Sequence, residues 1–341
     1  MSFIRDIYYI LKPFFSRATN YKIIVFAIVI CVVLEFVGVG LGVWLNYWYI
    51  DFYDSLANYN QQLLIHQIIV FIFIMLFTLV NTFVAYLIGQ VVVIKIRQYL
   101  TIYYTKRWVQ TKPYLQMYNC DNPDERISND IKQFITLLKT LSLGFIASVP
   151  TFVVFSAILW SLSGSFELKV LGYEIKVYGY LFWFALILAG INIIAIIKVG
   201  KPLRKLVYDK QRYEANFRFG LAELRINNDY ENNSKIFELK KHFSNVVDNF
   251  YQLTFREIKI NVVTNFFSQI YGIIGIFLSL PRYFLKAISF GQVMQINSAF
   301  LKVVTPLLFF VYSYEQVAEL KANVKRLKEL VKQIDRSEIN D

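Results

Sequence analysis

The chain is 341 residues long, 56% hydrophobic and only 18% charged, with a mean hydropathy of +0.44. Ordinary soluble domains carry about 25% charged residues, so a disordered chain and most soluble enzymes are excluded, and two cysteines, Cys31 and Cys120, exclude a disulfide scaffold or a zinc cluster. A net charge of +12 on so apolar a chain points to a membrane protein with basic edges rather than a nucleic-acid binder.

The chain opens on an amphipathic segment, Phe3–Phe15, which sets Phe3, Ile7, Tyr8, Leu11, Phe14 and Phe15 near one helical face. Residues 1–20 are therefore expected to form a helix lying flat at the inner membrane interface. A bilayer core of roughly 30 Å takes about 20 apolar helical residues, and six stretches meet that length. They are Ile23–Trp44, Leu63–Ile88, Leu143–Ser163, Tyr178–Ile197, Val262–Leu280 and Val293–Tyr312. The first is too long, and too poor in a small-residue cleavage pattern, to be a removable signal. Residues 21–320 thus read as a six-helix transmembrane domain and 321–341 as a cytoplasmic tail.

Lysine and arginine set the orientation. Four precede the first span, eight lie between the second and third, thirteen between the fourth and fifth, and six follow the last. Together these put 31 of the 36 on one side. Both termini are expected in the cytoplasm of a bacterial cell, with the spans in the inner membrane. Lys302 is the basic residue inside a span. The three outer connections are about 18, 14 and 12 residues long, whereas the two inner ones exceed 50 and 60. The inner segments are rich in helix formers, and long structureless loops are unusual. They are predicted to be helices running on from the membrane into the cytoplasm.

No phosphate-binding loop, Gly-x-Ser-x-Gly, His-Glu-x-x-His or dinucleotide fingerprint is present. About thirty residues follow the last span, so no nucleotide-binding domain is expected there, and neither an enzymatic activity nor a cofactor or metal is expected. Intramembrane carboxylates are costly and point to function. Glu35 lies mid-span in the first helix, as a proton or cation site or as a buried partner of a polar neighbour. Glu315 and Glu319 are one turn apart at the inner end of the sixth span. On the outer side, Asn46–Asp54 packs five aromatic rings and two acids into nine residues. It reads either as an interfacial aromatic belt or as a vestibule in which Asn46, Trp48, Asp51, Tyr53 and Asp54 attract cationic substrates.

That same segment resembles the end of the first long helix in the SbmA/BacA family of bacterial peptide-uptake permeases and in related ABC-transporter membrane domains. Four further segments agree in order: Asn122–Arg126, Lys210–Arg218, Gly291–Phe300 and Val317–Leu327. The resemblance implies an all-α, ABC-exporter-like membrane domain without ATPase, acting as a homodimer that imports peptides, antimicrobial ones included, with protons. It identifies Glu214, in the Gln-Arg-x-Glu-Ala motif, and Glu319, before Lys-Arg-Leu, as matching the family's proposed proton carriers; Glu223 joins Glu315 and Glu35 as further acids. Gly220 replaces an acid of the peptide-uptake pattern, and the run Phe217–Asn228 is closer to the ATP-linked relatives. Three functions follow: proton-driven peptide uptake, a membrane subunit served by a separate ATPase docking near Asn122–Asp130 and Asn227–Asn233, and a scaffold for envelope lipids.

Overall fold

A computed structural model describes residues 2–18, 21–111, 123–170, 173–227 and 233–340. After the short helix α1 (Ser2–Arg17) come α2 (Tyr21–Ala57) and α3 (Gln61–Thr111). A single turn, α4 (Pro123–Glu125), passes through a π-helical turn, Arg126–Asp130, into α5 (Ile131–Ser163). The remaining helices are α6 (Tyr180–Gly200), α7 (Leu203–Asn227), α8 (Asn233–Phe284) and α9 (Phe290–Asn340). Six of the described helical stretches are long and apolar enough to cross a membrane; five contain an expected span whole, and the fourth begins two residues inside its own. At 1.5 Å per residue the 51 residues of α3 reach about 76 Å, far beyond a bilayer core of roughly 30 Å. Where described, the connections expected as helical extensions are helical: α3 and α8 run on from their spans without a break, whereas α7 is a separate helix, set off from α6 by a turn at 201–202 where Pro202 cannot donate a backbone bond.

The chain divides into two compact units, residues 1–182 with 278–341, and residues 183–277. In the larger unit, α9 lies against α5 and α2, and α2 against α3. Ile50 faces Gly291, Asn46 bonds Gln295 and Gly42 lies beside Lys302, so α2 and α9 run antiparallel in close register. Side chains along the spans, such as Phe77, Val80 and Phe83 on α3, are exposed, as lipid-facing residues are. Other span residues, among them Phe155 and Leu159 of α5 and Ile296 and Phe300 of α9, are fully buried between helices, and a contiguous core forms where the helices leave the apolar zone. There Ile10 and Phe14 of α1 pack with Leu100 and Tyr104 of α3, Ile131 and Phe134 of α5, and Leu327 and Ile334 of α9. Apolar burial drives association where water is the alternative, which accounts for a core at this end.

Helix α1 is fixed there by polar bonds as well. Tyr104 Oη donates to Ile10 O at 2.8 Å, Tyr99 Oη to Pro13 O at 3.1 Å, and Lys328 Nζ lies 2.7 Å from Asp6 Oδ1. Tyr9 Oη donates to Asp335, which Arg107 Nη1 also bonds at 3.0 Å. In the smaller unit, Tyr271 Oη of α8 donates to Leu188 O of α6, and Glu223 of α7 pairs with Lys235 of α8 at 3.2 Å.

One short connection between spans departs from the all-helical reading. Ser165–Val170 (β1) and Tyr173–Tyr178 (β2) pair antiparallel, with Ser165 opposite Tyr178 and Val170 opposite Tyr173. Apolar residues recur at every second position, Phe166, Leu168, Val170 and then Tyr173, Ile175, Val177, the period of a ribbon rather than a helix. Gly164 ends α5 at φ +63°, in the left-handed region that favours glycine. Gly179, at φ +67°, starts α6 two residues later than the fourth expected span.

Candidate functional site

The C-terminal end of α2 is built from the residues that the sequence singles out. Trp48 stacks on Phe52 at 4.6 Å between ring centres, meets Phe71 of α3 at 4.9 Å, and donates its indole N–H to Gln67 O at 2.8 Å. Asn46, with no exposed surface, donates through Nδ2 to Gln295 O of α9 at 3.0 Å. Asp54 accepts from the Ser289 hydroxyl and from the Gly291 backbone N–H, each at 2.7 Å. Ser289 and Gln292 bond each other's backbone N–H reciprocally, a capping box at the start of α9. Asp54 thus completes the cap from another helix, with its negative charge at the positive end of the dipole. Gly291 permits the approach, because a Cβ there would run into the Ile50 backbone. Tyr53 is half-buried against Phe290 at 5.8 Å, and Asp51 is exposed.

The carboxylates fall into separate places. Glu35 is half-buried in α2, and Lys302 sits beside Gly42, two turns further along that helix. No carboxylate pairs with Lys302 among the described residues. Glu315 and Glu319 are exposed on α9, one turn apart. Glu214 and Glu223 are exposed on α7, with Glu223 held by Lys235. Among the described residues no group of three or more His, Cys, Asp and Glu is placed to hold a metal ion.

A second junction joins two segments that the sequence analysis names separately, 122–130 and 317–327. Asp130, 1% exposed, lies at the end of the π-helical turn with its Oδ2 3.0 Å from Arg326 Nε of α9. Arg326 also reaches Glu125 at 3.7 Å, while buried Arg126 donates to Arg326 O at 2.8 Å and faces Glu329 at 3.4 Å. A π-turn widens the helix by one residue per turn and often marks a functional position. Here it points Arg126 and Asp130 together at α9, where they bind 196–203 residues away in sequence. Nothing local in the sequence signals that pairing. Asn122 and residues 228–232, parts of the two expected ATPase-docking segments, lie outside the described residues.

Comparison with known proteins places this scaffold. A model of the SbmA/BacA-like family matches residues 18–335. The chain belongs to the SbmA/BacA-like family. It is 33% identical over 333 residues to the inner membrane ABC transporter ATP-binding protein YddA of Escherichia coli K12, covering 94% of this chain and 59% of YddA. An uncharacterized ABC transporter ATP-binding protein of Haemophilus influenzae is 26% identical over 335 residues, 96% of this chain and 56% of that protein. ABC transporter D family member 2 of Arabidopsis thaliana chloroplasts is 23% identical over 348 residues, 99% of this chain and 47% of that protein. The chain spans about half the length of the curated relatives it matches. With its six spans, this SbmA/BacA-like chain is a multi-pass inner-membrane protein of a transporter family.

Proposed function

We propose that the chain is the membrane domain of an inner-membrane transporter, working as a homodimer on peptides, with its conformational cycle coupled to an ATPase module. The carrying observation is the length of α3, α8 and α9, 51, 52 and 51 residues, which takes them as continuous helices well past a bilayer core of roughly 30 Å, where a soluble module could push on them. The names of the relatives, ATP-binding proteins about twice as long, and the Phe217–Asn228 run support the same coupling. In this reading both termini face the cytoplasm, α1 lies along the inner interface, and the ATPase engages the end of the molecule that carries Asp130 and Arg326. Asp51 and Tyr53 face substrate at the outer end, while Asn46, Trp48 and Asp54 hold the scaffold.

Half-buried Glu35 favours a second reading, proton-driven peptide uptake, because it is the acid within a span. Protonation would remove its charge and bias the closed, inward-directed state. One experiment separates the two. The purified chain in nucleotide-free liposomes is given an acid-outside gradient and a labelled proline-rich cationic peptide. Coupling to an ATPase predicts no entry under these conditions, and peptide transport in cells that falls with ATP depletion. Entry that collapses with an uncoupler and with Glu35→Gln would overturn it in favour of protons.

A further inference from the structure

An apolar groove of about 240 Å³ opens between α1, α2, α3 and α5, walled by Leu11, Phe15, Val32, Val92 and Ile146, with Lys139 and Ser142 as its polar members. It lies where the apolar stretches of α3 and α5 meet the basic end, since the span of α3 closes at Ile88 and that of α5 opens at Leu143. Lys139 is partly buried against α3. Its ammonium rests 5.9 Å from the Tyr86 ring centre, and a Cβ on Gly89 would lie 3.7 Å from its Nζ. No carboxylate pairs with Lys139 among the described residues. A cation at the edge of hydrocarbon is expensive without an anion, and here the neighbouring wall is greasy.

We infer that this groove is a binding site for an anionic phospholipid of the leaflet at the basic end. One occupant satisfies both features: an acyl chain along Leu143 and Ile146, and a phosphate at Lys139. Ser142, exposed and three residues on from Lys139, shares its helical face and offers a hydroxyl to the ester or phosphate. Lys132 is exposed two turns towards the basic end on that face, where the headgroup would continue into water. Clustered bases between spans at the membrane surface select anionic headgroups in this way. Leu11 and Phe15 of α1 form the lower wall, so the lipid would also tie the amphipathic helix to the bundle.

The test uses the whole chain, delipidated in detergent and titrated with phosphatidylglycerol or phosphatidylcholine, with bound lipid counted by native mass spectrometry. The wild type is expected to retain one phosphatidylglycerol per chain in preference to phosphatidylcholine. Lys139→Gln and Lys132→Gln should each weaken phosphatidylglycerol retention roughly fivefold, with phosphatidylcholine unchanged and helicity intact. Lys139→Arg should restore it, and Ile146→Trp, which fills the groove, should weaken both lipids. Equal retention of the two lipids by the wild type would overturn the assignment. So would undiminished phosphatidylglycerol binding by Lys139→Gln, or loss of the lipid when two copies associate, which would give the groove to a second chain.

Discussion

Asp54 illustrates how a residue with a functional look is spent on architecture. Both of its oxygens are taken by the first residues of α9, so Asp54→Ala removes two charge-assisted bonds and a cap. It is expected to cost about 1–2 kcal/mol, while Asp51→Ala, at an exposed site, should stay within about 0.5 kcal/mol. Thermal unfolding in detergent distinguishes them, and equal losses would refute the bolt between α2 and α9. The signal for the cap was local, since Ser289-Phe-Gly-Gln292 is a capping-box sequence. That Asp54 reinforces it was not legible, because the partner is 235 residues away. Tyr9 gives a pH-dependent counterpart at the other end. Burial first, and the Asp335 carboxylate it bonds, hold its phenol above the ordinary tyrosine range. Its folded-state value being raised, the bond's contribution is complete below about pH 10, the unfolded value, and is lost as pH rises through the higher folded one. Tyr9→Phe should therefore cost up to about 1 kcal/mol at pH 7, and unfolding midpoints compared at pH 7 and 11 should show that difference shrinking with alkalinity.

Among the elements, α9 binds the larger unit from one end to the other. Its capped start holds α2, its middle lies on α5, and its last turns meet α1 and the π-turn. Breaking a buried ion pair from one side typically costs 3–5 kcal/mol. Arg326 is 40% exposed and solvent screens it, so Asp130→Ala should cost about 1–3 kcal/mol. Hydrogen exchange should localise the effect to the last five turns of α9, with the spans unchanged; uniform loss of protection would contradict a junction confined to the basic end. The spans were legible because twenty apolar residues have one stable form in lipid, a helix. Their extensions were legible for a simpler reason: residues 201–225 and 130–139 are rich in helix formers and nearly free of helix breakers. The hairpin was missed although Phe166–Val170 and Tyr173–Val177 alternate strictly, because a short connection between spans is read as a loop before its period is counted. Asp130 and Arg326 stayed hidden because only the tertiary fold makes them neighbours.

At the scale of the whole molecule, the open question is what does work on the scaffold. A secondary transporter must bury its titrating groups in at least one state, and an ATP-driven one must instead transmit force through rigid helices that leave the membrane. The long continuous helices supply the second requirement, and Arg126, Asp130 and Arg326 stiffen their far end. Neutralising acids and loosening that end therefore have opposite expected outcomes. If an ATPase drives the cycle, the quadruple variant Glu214→Gln, Glu223→Gln, Glu315→Gln, Glu319→Gln should transport peptide in cells at near wild-type rates. Asp130→Asn should lower the rate about tenfold, a change of about 1.4 kcal/mol in coupling or barrier, while leaving expression and dimer content unchanged. Uptake of a labelled peptide, normalised to folded protein in the membrane, reads both. If protons drive the cycle the pattern inverts: the quadruple variant or Glu35→Gln abolishes uptake, and Asp130→Asn leaves it intact wherever α9 remains docked.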